Sequence, residues 1–424
     1  MLKKGKKMLN PKNQQRELSY VVSIEDIKPI VGSDNCESAI VGGWHVMVHK
    51  NTFKIGDLAI YFEIDSLLDS SNPSFAFMSN KKYKVKTQKY TFGGKGNFIS
   101  QGLLMSPKDF GWTCDGDKIR DNNGHLHSVD DESRFLTKEL GITYYVKEDN
   151  SRKSSPNPNA KYNSMMTRHP KFAKTKFAHW CMKRDWAKKI LFIFLGRKND
   201  SKTSFPKNFP GVTVTDQERC ENITWVLRDK TPFIVTQKCD GSSGTFILER
   251  KKFGKYEFYV CSRNVRQLKP EQKCFYDENY YWQVAIKYDI ENKMKAWLKA
   301  HHKAWFVCWQ GEVCGPKIQS NPQHLSEYHL FCFHWTDSIN GRRDIREADK
   351  DWRAMGMEVV PIEGTIVLPD DFEEFKQMAD GKYDPSVCEG HKDCNREGWV
   401  LYKTNEPTFS FKNVSRKYLL GKKD

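Results

Sequence analysis

No run of about 18 apolar residues occurs in the 424-residue chain, so no membrane-spanning helix is expected. The longest apolar run, Ile190–Leu195, is far too short to cross a bilayer. The N-terminal stretch 1–16 is basic but has no apolar core, which argues against a secretory signal. The 12 cysteines lack the spacing of a small disulfide scaffold and fit reduced thiols in an intracellular compartment. Cys388, His391 and Cys394 lie close together but lack a fourth ligand at a recognised spacing, so they read as a loop. No repeat of solenoid type is present.

What the chain has in excess is positive charge, +16 overall, which points to a polyanionic partner, nucleic acid before membrane. Hydrophobic residues at 38% and aromatics at 13% are enough to build cores, and the length suggests two or three domains. The charge is unevenly spread. Residues 147–202 hold 15 Lys or Arg against 4 Asp or Glu. This divides the chain into a basic tail (1–16), a first domain (17–146), a basic linker or insertion (147–204) and a second domain (205–424).

In the first domain, short β-prone segments at 19–23, 44–48 and 58–64 are separated by Gly42-Gly43 and Gly56-Asp57, a pattern that predicts a small OB-like β-barrel. Between Lys81 and Tyr90, lysines alternate with aromatics, which suits a surface that meets phosphates with charge and bases with rings. Residues 110–146 are polar and mixed and yield no element. In the basic segment, 151–164 reads as a linker and 177–195 as an amphipathic helix with Trp180, Trp186 and Ile190 on one side. Beyond 205, strands are expected near 232–236, 245–249, 256–262, 305–309, 330–335, 398–402 and 408–412, with helices at 283–301 and 370–378. The fold class is α+β, an OB-like barrel followed by a domain of mainly antiparallel sheets with helices.

Between the first two of these strands lies Lys238-Cys239-Asp240-Gly241. Asp-Gly between β-prone runs is what a hairpin turn uses, and such a turn would present Lys238 at its edge. Further polar clusters follow at strand ends: Arg263, Glu312, Phe333, Glu397 and Lys412. Together they supply the needs of nucleotidyl transfer. A lysine attacks only as the neutral amine, so its pKa of about 10.4 has to fall, and neighbouring cations and a bound metal would lower it. Cations must meet the charge on the α-phosphate, carboxylates must hold a metal and a ribose hydroxyl, and an aromatic ring can stack on the base.

K-C-D-G-S-S, S-R-N, G-E, F-C-F-H-W, E-G-W-V and F-K-N-V-S stand in the order of motifs I, Ia, III, IIIa, IV and V of the covalent nucleotidyltransferases. Gly56–Asp65, Ser100–Leu103, Thr215–Arg219, Gly315–Gln319 and Ser415–Leu419 narrow the resemblance to ATP-dependent RNA ligases of the Deinococcus/Naegleria type, over roughly 17–107 and 205–420. The resemblance implies an adenylyltransferase domain that uses ATP with Mg2+ or Mn2+ and joins 3′-OH to 5′-phosphate ends in nicked duplex RNA or an RNA/DNA hybrid, as a monomer. It implies that Lys238 takes AMP and Lys412 contacts the α-phosphate. Asp240 and Glu397 would hold the metal through water, Glu312 the ribose and Phe333 the adenine. Arg263 would lie near the ribose and the incoming strand, and Lys403 and Arg219 would contact phosphates or the metal site. Gln237 departs from the glutamate common among relatives, and no further domain follows Lys417, as capping enzymes and DNA ligases would need. A capping guanylyltransferase or DNA ligase, and a non-catalytic RNA-binding protein on a ligase fold, are the alternatives.

Overall fold

A computed structural model describes residues 16–92, 97–145, 175–182, 184, 186–187, 205–206, 208–213, 217–267, 279–389 and 394–421. The basic tail, most of the 147–204 segment and His391 lie outside the described residues. Among the described residues no helix is long and apolar enough to cross a membrane.

The first domain is organised on Leu58–Phe62, which pairs antiparallel with Ser19–Ser23 on one side and Leu103–Met105 on the other. Its side chains alternate between two cores. Ile60 and Phe62 enter one with Phe75 and Leu136, while Ala59 and Tyr61 enter the other with Trp44 and Val46. A second sheet runs Asp26–Pro29, Cys36–Val41, Trp44–His49, and Thr87–Thr91 pairs with Asn97–Gln101. The segment without a legible pattern holds a small sheet of three short strands, Thr113–Asp115, Lys118–Arg120 and Leu126–Ser128.

The second domain has two sheets. The first runs Glu218–Arg219, Glu406–Val414, Gly398–Lys403, Phe233–Lys238, Ile362–Ile366. The second runs Arg266–Gln267, Tyr256–Cys261, Ser242–Arg250, Phe306–Cys314, His329–Asp337, Gly341–Arg342, with Glu358–Val359 beside His329–Asp337. Trp309, Trp335 and Trp352 are fully buried together under the second sheet, their ring centroids 5.1 to 6.4 Å apart. The single helix expected at 283–301 is two, Tyr280–Lys287 and Ile290–Ala300, because Asp289 takes a left-handed φ of 49° that an uninterrupted helix excludes. Phe372–Met378 is helical as expected, capped by the Asp371 side chain. In the basic segment a helix spans Lys176–Met182, and residues 186–187 are also helical; Phe177, Trp180 and Trp186 are exposed rather than on a covered face, with Arg184 4.4 Å over the Trp180 ring, while Ile190 lies outside the described residues.

The two domains meet closely. Asn222 accepts from Trp44 Nε1 at 2.7 Å and donates to Glu63 at 2.9 Å, while Gly43 N donates to the Glu221 carbonyl at 2.7 Å. A Cβ on Gly43 would lie 2.7 Å from Glu221 Cα and 2.3 Å from the Phe372 ring, so the contact needs glycine. Arg416 ties Glu373 of the second domain to Gln101 of the first.

Candidate active site

Lys238 and Asp240 do not belong to a hairpin. Phe233–Lys238 and Ser242–Arg250 lie in different sheets, and Cys239-Asp240-Gly241 is the crossing between them. The Asp-Gly signal was legible, but the strands it joins pair with other partners: Lys238 lies opposite Gly398, and Ser243 opposite Glu312. Gly241 passes so close to the second sheet that a Cβ there would sit 2.4 Å from the Val313 carbonyl oxygen. The crossing therefore brings residues of both sheets to one place. Lys238, Lys412 and Arg219 come from strands of the first, Glu397 from the residue just before its Gly398–Lys403 strand, and Glu312 and Phe333 from the second.

These residues line a cavity of about 1000 Å³ together with Asp240, Arg263, Gln319 and Lys317. The first domain supplies part of its wall through Asp65, Lys84, Lys86 and Thr87, so the Lys/aromatic stretch read from the sequence reaches the cavity that holds Lys238.

Lys238 Nζ donates to Glu397 Oε2 at 2.7 Å. Burial acts to lower its pKa, but Glu397, Glu312 and Asp240 outweigh this and hold it above the ordinary lysine value. This corrects the expectation of a lowered pKa. Without a cation the site is rich in carboxylate, and the ammonium is the form it favours. Burial, opposed by Lys238 and reinforced by Glu397 and Asp240, pushes the Glu312 carboxyl up to about 8. Asp240 is buried, its carboxylate held by the Tyr418 hydroxyl, and its N–H donates to Tyr383 Oη at 3.3 Å.

Arg219 lies opposite Lys412 in a parallel pair of strands and is buried. Its Nη2 donates to Asp65 Oδ2 at 3.2 Å, while its Nε and Nη1 have no hydrogen-bond partner among the described residues. Two buried N–H donors at a cavity wall suit an anion such as a phosphate.

Phe333 owes its place to a β-bulge. Gln310 pairs with His334 and Gly311 with Cys332, which leaves Phe333 as the extra residue that turns from the buried face to the cavity. Arg263 is exposed at the rim. Lys403 is not brought to the site. It sits at the far end of its strand, opposite Phe233, and pairs with Asp229 at 2.5 Å. Gln237 has a structural role, donating to Glu363 at 2.6 Å and accepting from the Asp384 N–H at 2.9 Å. The sequence reading did not single out Tyr418 or Asp65 by role, since neither carries a local signal apart from its fold position.

Residues 18–106 match the profile of an OB-fold domain, and residues 231–419 match that of the RNA ligase family. The chain thus carries an OB-fold domain and, over residues 231–419, an RNA ligase domain. Among solved structures it is similar to a Naegleria gruberi RNA ligase mutant with ATP and Mn, at 23% identity and TM-score 0.67, over 96% of this chain and 100% of that one. It is also similar to Naegleria gruberi RNA ligase with pyrophosphate, at 22% identity and TM-score 0.66, over 96% and 98%. At this identity the likeness establishes the fold. No curated protein sequence matches the chain.

Proposed function

We propose that the protein is an ATP-dependent RNA ligase that seals 3′-OH/5′-phosphate nicks in duplex RNA or an RNA/DNA hybrid through a lysyl-AMP intermediate, acting as a monomer. The observation that carries this reading is the convergence of Lys238 with Asp240, Glu312 and Glu397, with Lys412, Arg219 and Arg263, and with the Phe333 ring in one cavity of a chain that carries an RNA ligase domain.

In the first step Lys238 Nζ, having lost its proton, attacks the α-phosphorus of ATP. A nitrogen–phosphorus bond forms, the bond to the bridging oxygen breaks, and pyrophosphate leaves. Lys412 and Arg219 meet the charge that gathers on the phosphoryl oxygens. Phe333 stacks on the adenine, Glu312 takes the ribose, and Arg263 stands at the rim toward the incoming strand. The donor set fits a divalent cation, because Asp240 and Glu397 are oxygen ligands of the kind Mg2+ and Mn2+ take. When bound, such a cation neutralises the carboxylates that keep Lys238 protonated and offsets charge on the phosphates. In the second step a 5′-phosphate oxygen attacks the AMP phosphorus and Lys238 leaves. In the third the 3′-OH attacks the 5′-phosphorus and AMP leaves. Lys84 and Lys86, on the first domain's wall, are placed to contact the nucleic-acid backbone. Lys403, held by Asp229 away from the cavity, has no part in these steps.

A 5′-labelled RNA strand in a nicked duplex, incubated with protein, ATP and Mn2+ or Mg2+, is expected to be joined, whereas a 5′-OH strand is not. Absence of joining at every RNA nick would count against the reading. Phe333→Ala is expected to raise the KM for ATP roughly tenfold with little change in kcat, since stacking contributes about 0.5–1.5 kcal/mol beyond area burial. Steady-state adenylylation kinetics measure this.

A further inference from the structure

We propose that Asp121, His127 and Glu139, in the first domain and outside the cavity that holds Lys238, form a site for a divalent transition-metal ion, with zinc the best match. Atoms of the three side chains lie within 4.8 Å of one another.

The Asp121 turn joins Lys118–Arg120 to Leu126–Ser128. Asp121 Oδ1 is committed to this turn, accepting from the N–H groups of Asn123 at 2.9 Å and His125 at 2.7 Å. Its Oδ2 is directed toward His127 Nε2, 3.6 Å away, and toward His125 Nδ1, 3.1 Å away. His127 is 5% exposed, and its ring is stacked on Trp112, with centroids 5.6 Å apart and planes 13° apart. Its Nδ1 lies 2.8 Å from the Ser133 carbonyl oxygen, a pure acceptor, so Nδ1 carries the proton and donates. In the neutral ring this leaves Nε2 as a bare lone pair. It is buried, has no hydrogen-bond partner among the described residues, and faces Asp121 Oδ2 at 3.6 Å and Glu139 Oε1 at 3.7 Å.

This arrangement points to a cation. Asp121 and Glu139 are also hydrogen-bonded side chain to side chain, and burial and this contact hold the Glu139 carboxyl above its ordinary value; the Nε2 lone pair faces the two acids at separations too long for hydrogen bonds and is left without a proton donor. These separations are close to the spacing of about 3.4 Å between two ligands that share a tetrahedral zinc at about 2.1 Å each. A metal-bound histidine characteristically donates its other ring N–H to a backbone carbonyl, which fixes tautomer and ring orientation. One imidazole and two carboxylates without thiolate make a borderline donor set that zinc accepts, and the partly exposed Glu139 side leaves room for water or for the largely exposed His125. The ion would clip the Asp121 turn and the Leu126–Ser128 strand to the Glu139 segment, beside core residues Trp112, Ile119, Leu136 and Leu140.

The test uses the full-length protein, stripped with chelator and titrated with Zn2+ alone. The carboxylates around Lys238 can also take zinc, so the readout is the difference between wild type and variants. Wild type is expected to bind one more equivalent than His127→Ala, and with Co2+ to show a visible d–d absorption that His127→Ala lacks. Glu139→Gln, at a partly exposed position that tolerates the change, is expected to keep the fold and bind zinc at this site at least about tenfold more weakly. It decides the matter if His127→Ala fails to fold. Equal zinc uptake by wild type and Glu139→Gln, with the same Co2+ spectrum, overturns the proposal.

Discussion

Lys238→Ala is expected to abolish joining from ATP, a fall of more than about 10⁴-fold, comparable to the loss of the nucleophile in other covalent enzymes. No described neighbour can substitute. Lys412 lies two strands away, on Glu406–Val414 beyond Gly398–Lys403, and Lys403 is bonded to Asp229 at the far end of its strand. The substitution should leave the fold intact, because Lys238 ends its strand and its side chain is 22% exposed. The chemistry also predicts what survives. An RNA strand that already carries AMP on its 5′-phosphate bypasses the step that needs the amine. Lys238→Ala should therefore still seal such a nick without ATP, while Lys412→Ala, aimed at phosphoryl charge, should be impaired from either starting point. Gel-based joining assays on the two substrates separate these outcomes. A Lys238→Ala protein that joins from ATP at the wild-type rate would remove the lysine from the mechanism.

The second large effect concerns stability. Lys376 and Glu221 form an ion pair at 2.8 Å with both side chains fully buried, and Lys376 also donates to the Val414 carbonyl at 2.9 Å. The pair lies where the domains meet, since the Glu221 carbonyl accepts from Gly43 N. Lys376→Met leaves a buried carboxylate without its partner and is expected to cost about 3–5 kcal/mol. The double substitution with Glu221→Met removes both charges and should recover most of that loss. Urea denaturation of the three proteins reads both effects. An equal midpoint for Lys376→Met and wild type would show that the pair contributes nothing. The same pair predicts a pH dependence. Burial acts to raise the Glu221 pKa, but Lys376 and Arg219 outweigh it and hold the carboxyl down at about 2. A depressed acid contributes stability that is complete above its ordinary value, about 4.3, and is lost as pH falls through the folded value. Acid unfolding of the Glu221→Met/Lys376→Met protein should be less steep below pH 4 than that of wild type.

The parts of the fold carried by short-range pattern were legible in the sequence. The β-prone segment at Leu58–Phe62 and the apolar runs around Phe233, Phe246 and Val400 each became strands close to where they were expected. The pairing of those strands was not legible. Asp240-Gly241 carries the local chemistry of a hairpin, yet it crosses between sheets, because Phe233–Lys238 finds its partners in Ile362–Ile366 and Gly398–Lys403, far along the chain. The candidate site residues were named as a set because their types and order match a known chemistry, and Lys238, Asp240, Arg219, Arg263, Glu312, Phe333, Glu397 and Lys412 line one cavity. Lys403 shares the strand that follows Glu397, but six residues of extended chain carry it away. The direction of the Lys238 pKa could not be read either, since it depends on three carboxylates that converge only in the folded chain. The Asp121, His127 and Glu139 group is in a segment with no periodicity, and only the small sheet and the Ser133 carbonyl bring it together.

The central claim, a nucleotide carried on Lys238, is tested most directly by intact-protein mass spectrometry after incubation with ATP and Mn2+, followed by peptide mapping. The account predicts a single added AMP, acid-labile as a phosphoramidate, on the peptide that contains Lys238. An adduct that forms only with GTP, that maps to another residue, or that fails to form at all would contradict it.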